Sequence, residues 1–254
     1  MHRFYLPPGD CKTGSFSLTG REAHHASRVL RVRRGDEVVV LDGAGTEFLC
    51  YVEEPRRDSV QLVVAKKNLI PRLPYQITLL QAVPKGKIIE SIIQKAVELG
   101  VHRVVPLLTE RVTTRLEGES AAHKAEKLQQ VAVEAIKQCG AAWLPKIENP
   151  LPPREFLARD EKFDLPLIAS LQPGSRHARE YFQAFQNEQG RKPESVCIWV
   201  GPEGDFTADE MRAIQAGGAL PITLGKLVLR VETAATYCLS ILNYDLTSSA
   251  SPLG

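Results

Sequence analysis

Two glycine-containing segments hold the residues of this sequence that are best suited to bind a ligand or to act on one. The first, residues 201–206, follows an apolar run and precedes Thr207 and Glu210, whose spacing is typical of a capped helix start. Glycines at the end of a strand let a backbone approach a ligand closely, and Pro202 stiffens this loop. A tight turn that needs a positive φ would use the same residues, so both interpretations stay open.

The second segment, residues 224–234, again places a glycine after a predicted strand, and it carries Arg230 and Glu232 at a predicted helix start. A guanidinium can stabilise negative charge that develops on a substrate, and a carboxylate can orient a group or accept a proton. Structural roles are equally ordinary, because the helix dipole stabilises an acid in the first turn and an arginine can form a surface salt bridge. The two residues are therefore candidates for chemistry.

The signatures of several other protein classes are absent from the sequence. It contains no Walker A pattern, no Gly-x-Gly-x-x-Gly that opens a βαβ unit and no Gly-x-Ser-x-Gly elbow. The five cysteines include no Cys-x-x-Cys pair, and His24 and His25 are adjacent, so we expect neither disulfides nor a metal site. No apolar run reaches the roughly 20 residues of a membrane span, and the first residues do not resemble a signal peptide. We expect a soluble cytoplasmic protein.

Positive charge is concentrated in one short stretch, although the net charge of the chain is only +2. This stretch contains a single acid, Glu22, and the basic residues Arg21, Arg28, Arg31, Arg33 and Arg34. Such a cluster can neutralise the phosphates of a nucleic acid. Taken alone, a basic cluster is more often a solvated face.

The spacing of apolar residues that must position these groups predicts a small β domain followed by an α/β domain. The predicted strands of the β domain are residues 38–41, 47–52 and 59–65, with a hairpin turn at residues 42–45. Proline interrupts strands and helices, so the segment 68–74, with Pro71 and Pro74, is the predicted linker. The predicted divisions are residues 1–72, residues 73–248 and a disordered tail at 249–254.

Beyond the linker, strand and helix patterns alternate, which predicts a mostly parallel sheet with ligands bound at the carboxyl ends of its strands. The predicted strands are residues 76–83, 103–108, 165–170, 196–200 and 221–224. The predicted helices are residues 86–99, 120–139, 176–186, 208–216 and 232–246.

Taken together, these motifs resemble those of a known family, the bacterial ribosomal RNA small-subunit methyltransferase E family. The resemblance rests on residues 25–31 (His-Ala-Ser-Arg-Val-Leu-Arg), Lys85-Gly86, residues 95–101 (Lys-Ala-Val-Glu-Leu-Gly-Val), Glu110-Arg111, Glu134-Ala135 with Gln138, residues 201–206 and residues 224–234. It extends from the first domain nearly to the end of the sequence.

The resemblance implies a PUA-like β-barrel followed by a SPOUT-type α/β methyltransferase domain with a trefoil knot. It implies an S-adenosylmethionine-dependent enzyme that methylates N3 of a uridine in 16S ribosomal RNA of the small ribosomal subunit. It further implies a homodimer with neither a metal nor a membrane partner. The alternatives are a methyltransferase of the same fold that acts on another base or a ribose, and a non-catalytic RNA-binding assembly factor with a vestigial pocket.

The resemblance also implies roles for individual residues. Arg230 and Glu232 are the expected catalytic pair. The expected cofactor-binding residues are Leu108, Leu171, Gly201, Glu203, Gly204, Leu224, Gly225 and Leu229. The expected RNA-binding residues are Arg3, Arg21, His25, Arg28, Arg31, Lys85 and Arg111.

Four positions depart from the pattern of this family. Asp205 stands where a glycine is usual, Leu227 where an arginine is frequent, and Lys137 and Ala141 near an expected acid and arginine. Asp205 adds a side chain beside the cofactor loop, while the other changes bear on RNA contacts or on the interface of a dimer.

Overall fold

The computed structural model describes residues 1–11, 14–111 and 121–247, so the predicted tail lies outside the described residues. The chain forms two compact units. The first comprises Met1–Arg72 together with Val133–Leu144, and the second comprises Leu73–Ala132 and Pro145–Gly254.

The first unit is built on a five-stranded sheet in the order β1-β3-β4-β5-β2. Its strands are β1 (His2–Tyr5), β2 (Ser15–Thr19), β3 (Glu37–Leu41), β4 (Thr46–Pro55) and β5 (Ser59–Leu69). Strand β1 pairs parallel with β3, and the other pairs are antiparallel. The predicted hairpin turn between β3 and β4 is confirmed, because Asp42 Oδ1 accepts hydrogen bonds from the N–H groups of Ala44 and Thr46, both at 2.8 Å.

Several elements of this unit were not predicted from the sequence. They are β1, a short 3₁₀ helix (Pro8–Asp10), β2 and the helix α1 (Gly20–His24), which continues as a π-helical segment, His25–Leu30. Phe4 from β1 and Phe16 from β2 are buried in the core, where the ring of Phe16 meets Phe48 edge to face at 4.9 Å. Each strand presents only one or two apolar residues to this core, which is too few to produce a recognisable period.

The second unit contains a six-stranded, all-parallel sheet in the order β11-β9-β10-β6-β7-β8. Its strands are β6 (Gln76–Ala82), β7 (Arg103–Leu107), β8 (Lys146–Ile147), β9 (Leu165–Ala169), β10 (Ser195–Val200) and β11 (Leu220–Ile222). The helices of the described chain after α1 are α2 (Ile88–Glu98), α3 (Ala121–Cys139), α4 (Pro153–Leu157), α5 (Ala178–Gln189), α6 (Ala208–Ala216) and α7 (Val231–Thr247). The predicted fold class, a β domain followed by a parallel α/β domain, is confirmed.

The helices of the second unit follow from their apolar spacing. The buried residues of α2 are Ile89, Ile92, Ile93, Ala96 and Val97, and Gly100 at φ 74° follows its last turn. The apolar residues of α7 are likewise a core face, with Leu239, Leu242 and Leu246 buried. Two elements, β8 and α4, were not predicted from the sequence. Other differences lie at the ends of elements: α5 begins at Ala178, since His177 and Glu180 form a capping box there, and β11 ends at Ile222.

The carboxyl ends of three adjacent strands meet at one edge of this sheet. Strand β9 ends at Ala169, β10 at Val200 and β11 at Ile222, and β9 pairs with both of the others. Loops that leave these ends must therefore be neighbours, which is where an α/β sheet binds its ligands.

Asp164, just before β9, ties that strand to the start of β10. Its carboxylate accepts hydrogen bonds from the Arg191 guanidinium at 2.9 and 3.0 Å, and from the N–H groups of Glu194 at 2.7 Å and Ser195 at 3.3 Å. The Arg191 guanidinium is the main cause that lowers the pKa of Asp164 from 3.8 to about 2, and the two N–H groups add to it against the opposing effect of burial. The resulting stabilisation is present above the unfolded pKa and is lost as pH falls through the folded one.

We expect Asp164→Asn to reduce the free energy of unfolding by about 1 to 2 kcal/mol at pH 7, because the charge-assisted bonds weaken. The difference from the unsubstituted protein should shrink between pH 4 and pH 2, as measured by denaturant unfolding at several pH values. The matched control is Asp160→Asn, which removes an exposed pair with Lys162 and should cost less than about 0.5 kcal/mol. Equal losses in both variants would contradict this account.

Candidate functional site

An open cleft of about 570 Å³ lies at the carboxyl ends of β9 and β10, against the loop that enters α7. Its lining residues come from three segments: Ala169, Ser170 and Leu171 after β9, Val200, Gly201, Pro202, Glu203 and Asp205 after β10, and Leu224, Leu227, Val228, Leu229, Val231 and Ala234 around the start of α7. Both glycine-containing segments of the sequence therefore contribute to one cavity.

The loop after β10 is a tight turn followed by a capped helix. The N–H of Asp205 donates to the carbonyl of Pro202 at 2.9 Å. The predicted capping box is confirmed, since the N–H of Glu210 donates to Thr207 Oγ1 at 3.2 Å and the N–H of Thr207 donates to Glu210 Oε2 at 2.9 Å. Phe206, which is buried, then packs edge to face on Trp199 at 6.4 Å. Strand β10 and Phe206 thus hold both ends of the loop.

Two further segments are hydrogen-bonded to this loop and helix. The N–H of Lys85 donates to Glu203 Oε1 at 3.2 Å, and the Arg111 guanidinium donates to the carbonyl of Gly204. Glu210 Oε1 accepts from the N–H of Glu110 at 2.9 Å. Lys85 and Arg111, which the sequence assigned to RNA binding, therefore lie beside the cleft.

The segment before α7 presents apolar side chains to solvent at the cleft. Leu227 is 76% exposed and Val228 is 80% exposed, and Leu171 across the cleft is 60% exposed. Gly225, at φ 105°, turns the chain here, and its N–H donates to Thr223 Oγ1 at 3.2 Å. Exposed apolar walls around a concave site are typical of ligand-binding grooves.

Arg230 and Glu232 flank Val231 where this segment becomes α7. The carbonyl of Arg230 accepts the N–H of Ala234 at 2.8 Å, so Arg230 stands at the helix start. Its side chain is exposed, and that of Glu232 is half-buried in the first turn. Within the described residues neither side chain forms an ion pair, so the structural alternative of a surface salt bridge for Arg230 has no partner there. Leu229 and Val231, their neighbours, line the cleft.

The predicted cofactor residues fall into three groups in the structure. Leu171, Gly201, Glu203, Leu224 and Leu229 line the cleft. Gly204 and Gly225 belong to its two loops without forming its wall. Leu108 lies instead at a separate groove, beside Pro152 and Leu157, so a wall role for it has no support in this geometry.

Sequence reasoning did not assign several residues that the cleft contains. Ser170 and Val228 are examples, and the sequence offered no signal for Ser170, whose hydroxyl accepts the N–H of Gln172 at 3.1 Å. Asp205 was noted only as a departure from a glycine. Its φ is 60°, in the left-handed region that favours glycine, and its Oδ1 accepts the N–H of Phe206 at 2.8 Å.

Among the described residues, the ionisable ones that line the cleft are both acids, Glu203 and Asp205. Burial raises the pKa of the Asp205 carboxyl above its usual value, against the opposing effects of the Phe206 N–H and the Arg111 guanidinium. The cleft is thus an apolar groove with negative charge on one wall, which suits a ligand that carries positive charge.

In the first unit, most arginines of the basic stretch are open to solvent. Arg28, Arg31, Arg33 and Arg34 are exposed, and Arg21 is 68% exposed although it lies 3.6 Å from Glu134. Arg31 has a φ of 54° and ends the π-helical segment. These side chains are available to an anionic partner, and their RNA-binding role stays a prediction.

Two other predicted RNA-binding residues are engaged inside this unit. The Arg3 guanidinium donates to the carbonyls of Lys137 and Gln138, at 3.4 and 3.2 Å, and the ring of His25 lies edge-on to Phe4 at 6.2 Å. Lys137 is itself buried, and its Nζ lies 2.8 Å from Glu22 and 3.1 Å from Glu134. The departure at Lys137 therefore has a structural use, because its buried ammonium group is the centre of a partly exposed charge cluster.

Membrane-spanning helices and clusters of metal-ligating side chains are both absent from the described residues. No described helix combines the length and apolar character needed to cross a bilayer. No group of three or more metal-ligating side chains lies together in the part of the chain that the structure covers.

Comparison with known families gives matches in both units. Residues 71–243 match the profile of an RNA methyltransferase domain, and residues 18–65 match that of an RNA methyltransferase PUA domain. The two profiles together cover the cleft and the exposed arginines.

Similar proteins are known at the level of whole chains. The ribosomal RNA small subunit methyltransferase E of Bacillus subtilis is 31% identical over 232 residues, which are 91% of this chain and 90% of that protein. A protein of Legionella pneumophila solved with bound S-adenosylmethionine superposes with a TM-score of 0.85, at 32% identity and 97% coverage of both chains. The ribosomal RNA small subunit methyltransferase E of Neisseria gonorrhoeae, also solved with S-adenosylmethionine, has a TM-score of 0.84 at 26% identity, covering 96% of this chain and 97% of that one.

The glycines of the loop after β10 provide a matched test of this cleft. A Cβ added to Gly201 would lie 2.8 Å from Asp205 Oδ1 and 3.3 Å from the Asp205 backbone, whereas one added to Gly204 would lie 3.5 Å from its nearest neighbour, Arg111 Cδ. We expect Gly201→Ala to weaken S-adenosylmethionine binding at least tenfold, since the loop must shift, and Gly204→Ala to change it less than about threefold. Isothermal titration calorimetry measures both, and circular dichroism checks the fold. Unchanged binding in both variants would show that the turn is not a wall of the binding site, and equally large losses would contradict the steric difference between the two glycines.

Proposed function

The chain belongs to the ribosomal RNA small subunit methyltransferase E family, and on that premise we propose that it transfers a methyl group from S-adenosylmethionine to N3 of a uridine in 16S ribosomal RNA. The observation that carries this proposal is the convergence of both glycine-containing loops on one apolar cleft. The alternatives, another base or a ribose hydroxyl as target, or a vestigial pocket, are separate outcomes of the experiment below.

The residues present fit S-adenosylmethionine. Apolar side chains such as Leu171 and Leu229 can enclose a purine ring and a hydrocarbon chain, and the turn at Gly201 exposes backbone amides and carbonyls for polar groups. Glu203 and Asp205 provide negative charge for the cationic sulfonium. Neighbours in the same fold were solved with this cofactor, which supports the assignment.

When bound, S-adenosylmethionine supplies an electrophilic methyl group. The uracil N3 must lose its proton before it can attack, and negative charge then spreads to the adjacent carbonyl oxygens. We assign Arg230 to stabilise that charge, because its guanidinium is exposed beside the cleft and has no ion-pair partner among the described residues. We assign Glu232, one position beyond Val231, to orient the base or accept its N3 proton.

We further propose that exposed arginines of the first unit hold the ribosomal RNA. Arg28 and Arg31 are the central candidates, since both are exposed in or directly after the π-helical segment. Lys85 and Arg111, beside the cleft, would contact the RNA near the target base. Arg3 and His25 would act indirectly, through the contacts that hold this part of the unit together.

The resemblance supports three more proposals. We propose a trefoil knot in the α/β domain, a homodimer and a cytoplasmic location. For the dimer, α7 offers Tyr237 and Tyr244, which are 46% and 66% exposed and lie two turns apart on one face. Sedimentation velocity of the purified chain would detect the dimer, and a monomer at all concentrations would refute it.

The function is tested with purified protein, labelled S-adenosylmethionine and small ribosomal subunits that lack the modification. We expect labelled 3-methyluridine after the RNA is digested to nucleosides. A different labelled nucleoside would support the methyltransferase activity but show that the target is another base or a ribose. Cofactor binding without label in the subunits would refute this substrate. Absence of cofactor binding would refute the methyltransferase activity and favour the RNA-binding alternative with a vestigial pocket.

We expect Arg230→Ala to lower kcat at least a hundredfold while the affinities for S-adenosylmethionine and RNA change less than about threefold, because the guanidinium acts on charge that develops during transfer. Single-turnover assays and separate binding titrations measure the three quantities. The contrasting variant is Arg28→Ala, which should weaken RNA binding and reduce its salt dependence without a comparable loss of kcat. Full turnover by Arg230→Ala with normal RNA binding would remove Arg230 from the mechanism.

A further inference from the structure

Asp205 occupies a backbone conformation that an aspartate adopts at a cost. Its φ of 60° lies in the left-handed region, which favours glycine and which other residues enter with strain on the order of 1 kcal/mol. The turn itself does not need the side chain, because the N–H of Asp205 makes the closing bond to the carbonyl of Pro202 at 2.9 Å. A carboxylate in such a position points to a use beyond closing the turn.

One oxygen of the Asp205 carboxylate is held in place by a hydrogen bond, and the other, within the described part of the chain, is free to contact a ligand. Oδ1 accepts the N–H of Phe206 at 2.8 Å and lies so close to Gly201 that a Cβ there would approach it to 2.8 Å. Among the described residues, Oδ2 has no hydrogen-bond partner. Asp205 is half-buried and lines the cleft, so a carboxylate oxygen is presented to whatever occupies the cavity.

Asp205 differs from the other charged residues around the cleft in the availability of its charge to a ligand. Glu203, the other acid of the lining, is exposed, and its Oε1 already accepts the N–H of Lys85. The Arg111 guanidinium lowers the pKa of Asp205 electrostatically, but it donates to the carbonyl of Gly204 and does not line the cleft. Among the described residues of the cavity wall, no cation opposes this partly buried negative charge.

We infer that Asp205 makes the cleft select its ligand by charge, so that the cationic methyl donor binds more tightly than its neutral demethylated product. This inference rests on the proposed function. S-adenosylmethionine carries a sulfonium, and transfer of the methyl group converts it to the uncharged thioether of S-adenosylhomocysteine. The two molecules are otherwise nearly the same, so a carboxylate on an apolar wall is a simple means of separating them.

This selectivity has a consequence for turnover. A product that shares every apolar and hydrogen-bonding contact of the donor would compete with it strongly. Loss of the positive charge at the moment of transfer removes the attraction to Asp205, which speeds release of the product. Asp205 is in this respect a specificity-determining residue of the cofactor site and takes no part in the transfer step.

The test compares the affinities of S-adenosylmethionine and S-adenosylhomocysteine for the full chain and its variants at pH 8, by isothermal titration calorimetry. Asp205→Asn removes the charge and keeps a side chain that tolerates positive φ. We expect this variant to bind S-adenosylmethionine about tenfold more weakly and to change the affinity for S-adenosylhomocysteine less than about twofold. Asp205→Gly should reduce the preference for S-adenosylmethionine in the same way. The matched control is Asp209→Asn, which removes an exposed acid of the first turn of α6 and should leave the preference unchanged.

The outcomes separate this inference from the proposed function. A fall in the preference for S-adenosylmethionine in both Asp205 variants, with the control unchanged, supports it. Equal weakening of both ligands, or no change in the preference, overturns this inference. The proposed function still stands in that case, provided that the unsubstituted protein binds the cofactor. If the unsubstituted protein binds neither ligand, the proposed function and this inference fail together.

Discussion

The parallel register of β10 between β9 and β6 is the constraint on which the cleft depends. Val200 pairs with Gln81, and Trp199 pairs with Ile168, so the strands end at a common edge. Alternate residues of β10 face opposite sides, and Cys197 and Trp199 share a core with Phe206 and residues of α6. A slip of one residue would turn this set to the other face and would separate α6 from the sheet. The loop of residues 201–205 is held at both ends by this packing.

Glu210 connects helix α6 to the segment that follows a neighbouring strand, β7. One carboxylate oxygen caps α6 through the N–H of Thr207, and the other accepts the N–H of Glu110, in the segment that follows β7. A buried carboxylate with both oxygens satisfied by backbone donors fixes the helix and the segment to one position. Arg111, next to Glu110, then reaches the carbonyl of Gly204. The position of a cation beside the cleft is thus a consequence of a helix cap.

Local patterns made much of this structure predictable from the sequence. The isoleucines of α2 and the Thr207–Glu210 capping box are local in sequence, and both were located correctly. The convergence of the two loops also followed, because parallel strands end at one edge. Strands β1 and β2 were missed because their apolar residues are few. Leu108 was assigned to the cleft from resemblance, yet its strand lies beyond β6 from β10, and its loop opens on a different groove. The spacing of apolar residues in the sequence cannot predict the positive φ of Asp205 or the burial of the Lys137 side chain.

The start of α7 shows why chemistry and binding can share one short segment. Val231 is 6% exposed and is anchored with Ala235 and Leu239 in the core, where α7 packs on α2, α5 and β10. In the chain around Val231, Arg230 is exposed and Glu232 is half-buried. Because buried and exposed residues alternate here, the core contacts of α7 fix the positions of both polar side chains without using either of them. A substitution of the polar pair therefore leaves the anchor intact, whereas loss of Val231 would move the whole segment. The helix core sets the geometry, and the two polar residues are free to act on a substrate.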